Sequence, residues 1–148
     1  MKMTDYTAQG TPIQIVLAED DDVDAKGVVR TFRHAKISNP IFRARDGVEA
    51  LELLRDNGKK AIPCPRHLLV DINMPRMNGI ELIQALRDDP LLKPTVVFVL
   101  TTSNRDEDKV AAYNLNVAGY IVKEKAGEDF LNLVNMLDLY WKIVEMPE

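Results

Sequence analysis

Ile13-Gln14-Ile15-Val16-Leu17-Ala18-Glu19-Asp20-Asp21-Asp22-Val23-Asp24 changes character halfway along. Its first six residues form a short, mostly apolar run, the pattern of a strand buried on both faces. Residues 23–36 then carry Ala25, Val28, Val29, Phe32 and Ala35 at helical spacing. Gly27 is a poor residue inside such a helix, by about 1 kcal/mol relative to Ala. A strand, an acidic turn and an amphipathic helix make the first half of a βαβ unit.

The rest of the chain repeats this alternation. Residues 41–45 predict a second strand, and Val48, Leu51 and Leu54 mark a helix after Asp46-Gly47. Beyond the break at Pro63-Cys64-Pro65, His67-Leu68-Leu69-Val70-Asp71 reads as a third strand ending on an acid. Ile80, Ile83 and Leu86 give the next helix, stopped near Asp89-Pro90. Thr95-Val96-Val97-Phe98-Val99-Leu100 is the clearest strand, apolar and rich in β-branched residues. A polar helix over about 105–115, a fifth strand at Ala118-Gly119-Tyr120-Ile121-Val122 and a final helix over about 128–144 complete the pattern. Five short apolar strands interleaved with five helices predict an α/β fold with a parallel sheet, because parallel neighbours need crossover helices. Residues 1–12 are polar and punctuated, and are expected to be a mobile lead-in to a single domain over 13–148.

A chain of 148 residues is about one domain, and 46% hydrophobic with 28% charged residues supplies a core and argues against disorder. A net charge of -4 lacks the basic footprint that nucleic-acid binding requires. The single cysteine, Cys64, can make neither an internal disulfide nor a CxxC metal site, which fits a reducing compartment. The longest strongly apolar run, Val96 to Leu100, is far short of the roughly 20 residues that cross a bilayer. Met1-Lys2-Met3-Thr4-Asp5-Tyr6 has no apolar segment of the signal-peptide kind. A soluble cytoplasmic protein, bound to neither membrane nor nucleic acid, is the expectation.

Open parallel sheets bind ligands at the carboxyl ends of their strands. The first strand delivers Glu19-Asp20-Asp21-Asp22, with Asp24 just beyond. Asp21 or Asp22 suits a helix N-cap, where acids also favour the dipole. Glu19 and Asp20 precede any helix, and a metal site accounts for them better. The third strand ends at Asp71, the fourth at Thr101-Thr102-Ser103, and the fifth leads into Lys123. Carboxylates of this kind suit a hard cation such as Mg²⁺. A lysine opposite supplies a point charge for a phosphate or carboxylate, worth about 4 kcal/mol at about 4 Å and an effective dielectric near 20, before desolvation. GxGxxG, GxxxxGK[ST] and HExxH are all missing. His34 and His67 read as structural, and Cys64 has no partner that would activate it as a nucleophile.

Taken together, Glu19-Asp20, Asp71-Ile72-Asn73-Met74-Pro75 with Gly79, Thr101 and Lys123 resemble the receiver domain of bacterial two-component response regulators. Asp46-Gly47-Val48-Glu49-Ala50-Leu51 and Asn116-Val117-Ala118-Gly119-Tyr120 fit the same pattern. Leu100-Thr101-Thr102-Ser103-Asn104 and the long final helix resemble the stand-alone regulators that pair with bacterial phytochrome histidine kinases. The resemblance implies a flavodoxin-like (βα)5 fold, a doubly wound five-stranded parallel sheet in the order 2-1-3-4-5. It implies Asp71 as phospho-acceptor for a kinase phosphohistidine. Mg²⁺ would be held by Asp71, Asp20, Glu19 acting mainly through water, and the carbonyl of Asn73. It further implies Thr101 and Lys123 as partners of phosphoryl oxygens, and Tyr120 as the aromatic that turns inward with Thr101. Asn73 and Ser103 would tune hydrolysis of the acyl phosphate. One departure stands out: Glu124 follows Lys123 where the family usually has a proline, which puts the lysine's approach in question. Such a protein is a phospho-acceptor that assists its own phosphorylation and dephosphorylation, rather than an enzyme.

Little chain follows Lys123, so output is expected through a partner surface. In the final helix Phe130, Val134, Leu137 and Trp141 form one apolar face, while Leu131, Met136, Leu139 and Ile143 lie largely away from it. Scattered surface apolars are one reading of the second set; a homodimer covering it is the favoured one. The alternative function is a pseudo-receiver, a protein-binding module that is never phosphorylated. An aspartate phosphatase would want a second acid where Asn73 stands, and acids replace the phosphate loop of a flavodoxin after the first strand.

Overall fold

A computed structural model describes residues 13–37, 39–55 and 66–123, together with 135, 136 and 139. The elements are β1 (Gln14–Ala18), α1 (Asp22–His34), β2 (Ile41–Ala44), α2 (Gly47–Leu54), β3 (Arg66–Val70), α3 (Gly79–Asp88), β4 (Val96–Thr101), α4 (Asp106–Asn114) and β5 (Gly119–Val122). All neighbouring strands run parallel, in the order β2-β1-β3-β4-β5. This is the expected doubly wound order, with the chain reversing its direction of travel between β1 and β3.

Both faces of the sheet are covered, and strand alternation sorts the side chains between them. Val16, Leu68 and Val97 share one level of the register and pack with Ala50, Leu51 and Leu54 of α2 and Leu82, Ile83 and Leu86 of α3. Leu17, Leu69 and Phe98, one residue on, point the other way to join Ala25, Val28 and Phe32 of α1. Fully burying one such side chain contributes about 1.5–3 kcal/mol, which makes the two layers the main stabilising feature.

Helix boundaries follow local chemistry. Asp21 caps α1 by accepting from Asp24 N at 2.9 Å, and Asp46 caps α2 through Glu49 N at 2.9 Å. α3 opens with a capping box, Asn78 and Glu81 each accepting from the other's backbone. α1 ends at His34, two residues short of the sequence expectation. Lys36 turns into the left-handed region (φ 59°) and Ile37 N closes back on Phe32 O at 2.9 Å, a helix-ending turn that periodicity does not register. β4 runs one residue further than expected, so Thr101 is itself a strand residue. Among the described residues no helix is long and apolar enough to cross a membrane.

Cys64, the peptide bond after Lys123, and Leu131 and Ile143 of the expected dimer surface lie outside the described residues. Met136 and Leu139 are helical and about half exposed, at 51% and 55%.

Candidate functional site

The carboxyl edge of the sheet carries the chemistry. Glu19 N donates to Ala44 O at 2.9 Å and Asp71 N to Ala18 O at 3.0 Å, so the ladder continues one residue past β1 and β3 and brings both acids out together. The chain behind Asp71 folds back so closely that a Cβ on Gly79 would lie 2.3 Å from the Asp71 carbonyl oxygen. Only glycine tolerates that approach.

Four of the predicted residues meet directly. Thr101 Oγ1 donates to Asp71 Oδ1 at 2.5 Å. Lys123 Nζ donates to Glu19 Oε1, to Asp24 Oδ2 at 2.8 Å, and to Asp71 Oδ2 at 3.5 Å. Glutamate in place of the usual proline therefore does not keep the lysine away. Glu19, Asp71 and Thr101 are buried, whereas Asp20 is exposed and opens the site to solvent. Burial pushes the Glu19 carboxyl up to about 7, against the lowering effect of the Lys123 hydrogen bond and with a further push from the Asp71 charge. Burial alone would depress Lys123, but its bonds to Asp24 and Glu19 and the charge of Asp71 outweigh that and raise it. One ammonium among several acids is held firmly charged while the acids stay mutually repelled.

The remaining predicted residues form a second ring. Asn73 N approaches Asp71 Oδ1 at 3.4 Å. Ser103 N donates to Thr101 Oγ1 at 3.2 Å, Ser103 Oγ donates to Asp108 Oδ2 at 2.5 Å, and the Tyr120 hydroxyl donates to Ser103 O at 3.0 Å. Burial raises the Tyr120 hydroxyl above its ordinary value, so it remains a donor. A continuous chain of contacts thus runs from Asp71 through Thr101 and Ser103 to Tyr120 and α4.

Four contributors escaped the sequence reading. Asp24 was readable only as a first-turn acid, yet it shares Lys123. Asp108 holds Ser103. Arg76, at φ 61°, pairs its Nε with Asp46 Oδ2 at 2.7 Å and ties the β3–α3 loop to α2. Arg43, a lone cation in β2, reaches over the end of β1 to the carbonyls of Glu19 and Asp20. Spacing cannot reveal such partners; they depend on strand register.

Glu19, Asp20 and Asp71 each offer a carboxylate oxygen, all within 4.8 Å of one another. Carboxylate oxygens with one ligand left exposed to solvent fit a hard divalent cation that keeps part of its water shell. Donor set and burial both suit Mg²⁺.

Comparison with known proteins agrees with the geometry. The family described as response regulator receiver domain matches residues 15–135. Response regulator Rcp1 of Synechocystis sp. is 31% identical over 138 residues, covering 92% of this chain and 94% of its own. Among solved structures, the phosphorylated cyanobacterial phytochrome response regulator RcpA aligns with a TM-score of 0.78 at 28% identity, over 91% of this chain and 98% of that one. The Mn²⁺-bound form of Rcp1 aligns with a TM-score of 0.76 at 28% identity, over 92% and 99%.

Proposed function

The chain belongs to the family of response regulator receiver domains and resembles phytochrome response regulators among them, and we propose that it accepts a phosphoryl group from a sensor histidine kinase onto Asp71. One observation carries the reading: the Asp71 carboxylate lies between the Thr101 hydroxyl and the Lys123 ammonium, beside two further acids. In the transfer, an Asp71 carboxylate oxygen bonds to phosphorus. The phosphorus–nitrogen bond of the kinase phosphohistidine breaks, and its electron pair leaves with the imidazole. Glu19, Asp20, Asp71 and the Asn73 carbonyl would hold Mg²⁺, which when bound neutralises charge on the transferring group. Lys123 is already aimed at Asp71 and pairs with a phosphoryl oxygen without a large rearrangement. The Thr101 hydroxyl exchanges its Asp71 bond for another phosphoryl oxygen.

That exchange is the output step. Thr101 is bonded to Ser103, and Ser103 to Tyr120 and Asp108, so drawing the hydroxyl inward disturbs both the tyrosine and α4. Converting a 1:99 mixture into 99:1 takes roughly 5.5 kcal/mol. A charge-assisted hydrogen bond contributes about 1.5–3 kcal/mol, so Thr101 and Lys123 must act together. Asn73 and Ser103 stand where they would tune loss of the phosphoryl group. The likeness to a phytochrome response regulator supports a bacterial phytochrome as the kinase. Cytoplasmic action away from nucleic acid and membrane belongs to the same proposal. The half-exposed Met136 and Leu139 support a homodimer over the final helix.

The test is labelling by a small phosphodonor with Mg²⁺. Incorporation lost in Asp71→Asn is expected, followed by transfer from a phytochrome kinase. An unlabelled wild type would instead identify a pseudo-receiver module.

A further inference from the structure

Asp20 is the least supported of the three clustered acids. It is exposed, and among the described residues no side chain or backbone donor bonds its carboxylate. Its aim toward Glu19 and Asp71 therefore depends on the backbone that carries it. That backbone lies in a run where Glu19, Asp20, Asp21, Asp22 and Asp24 repel one another.

Arg43 answers this repulsion from the neighbouring strand. Its Nε and Nη2 both donate to the Glu19 carbonyl, at 3.0 and 2.9 Å, and Nη2 also donates to the Asp20 carbonyl at 3.1 Å. Nη1 takes the Asp22 carboxylate at 2.5 Å, and the side chain is 22% exposed. The planar fork thus spans the turn between the metal-facing acids and the start of α1, a geometry an ammonium cannot reproduce. Arg45 is a built-in comparison. It also pairs with Asp22, at 2.8 Å, but it is 61% exposed and, among the described residues, does not bond the acid-bearing backbone.

We propose that Arg43 is the positioning residue of the divalent-cation site, clamping the Glu19 and Asp20 carbonyls so that their carboxylates converge with Asp71. This rests on the metal-site reading above. Removing a nearby positive charge should by itself tighten binding of a dication, whereas loss of the clamp should weaken it. Partners that orient metal ligands typically change affinity by about 10–100-fold when removed.

The experiment is Mn²⁺ titration of the full chain, read by the resonance of the free ion, with thermal unfolding of the metal-free protein alongside. Arg43→Met keeps an unbranched apolar stem without the fork and is expected to weaken Mn²⁺ about tenfold or more. Arg43→Lys keeps the charge but not the fork, and is expected to weaken it by a smaller factor at nearly wild-type melting temperature. Arg45→Met is expected to bind as wild type or tighter. If Arg43→Met proves too unstable, Arg43→Lys decides alone. Wild-type affinity in Arg43→Lys, or equal or tighter binding in a folded Arg43→Met, overturns the assignment. A wild type that takes up no Mn²⁺ removes the metal-site reading and this inference with it.

Discussion

His67 stands near the start of β3, 1% exposed, with its ring 6.2 Å from that of Phe98. Burial lowers its pKa from 6.5 to about 4. The unfolded chain therefore takes up a proton in a range where the native protein refuses it. Stability from this residue is complete above about pH 6.5 and is lost as pH falls through about 4, a maximum of about 3 kcal/mol at about 1.36 kcal/mol per unit. Urea unfolding across that window is expected to show a steep acid-side loss in the wild type and a flatter one in His67→Leu. Coincident slopes would place the titration elsewhere. The same residue illustrates how a histidine that reads as structural in the sequence becomes a pH-dependent part of the core.

At the scale of single elements, two helical glycines make opposite predictions. Gly79 opens α3 against the Asp71 and Ile72 backbone, where a Cβ would meet atoms at 2.3 and 2.9 Å. Gly79→Ala is expected to cost about 1–3 kcal/mol, as overpacking does, and to displace Asp71, so phosphorylation should slow as well. Gly27 lies inside α1 with nothing within 4 Å of its notional Cβ. Gly27→Ala should stabilise by about 0.5–1 kcal/mol and leave phosphorylation unchanged. Denaturant midpoints for the pair decide it, since equal shifts would refute the contrast. α4 differs from the other helices. Its N-cap residue Arg105 makes no side-chain capping bond, and Asp108 is engaged instead by Ser103. Helix position at this end is therefore tied to the strand-end hydroxyl of Ser103.

For the whole molecule, the site sets a conflict between folding and charge. Glu19 is raised to about 7 in the fold, so its contribution to stability is present below pH 4.5 and is lost as pH climbs through about 7. A divalent ion requires the deprotonated carboxylate and competes with that proton. Mg²⁺ is therefore expected to raise the melting temperature more at pH 8 than at pH 6, approaching about 2.7 kcal/mol of stabilisation at 100 times its dissociation constant. Glu19→Gln should remove the pH dependence of the shift. The same shift at both pH values in the wild type would exclude Glu19 from metal binding.

The alternation of apolar strands with amphipathic helices was legible in the sequence because burial on one or both faces imposes periods that a linear chain displays. So were Glu19, Asp20, Asp71, Thr101 and Lys123, since each follows or ends an apolar strand, and strand ends in a parallel sheet share one edge. Tertiary structure alone decided the rest. Lys123 meets Glu19 across 104 positions, and Arg43 finds the Glu19 and Asp20 carbonyls from β2. Among the described residues, Thr101 is linked by hydrogen bonds to Tyr120 through Ser103. Local sequence carries propensity and pattern, whereas these contacts depend on parallel register and side-chain reach, which are settled only when both faces of the sheet are packed.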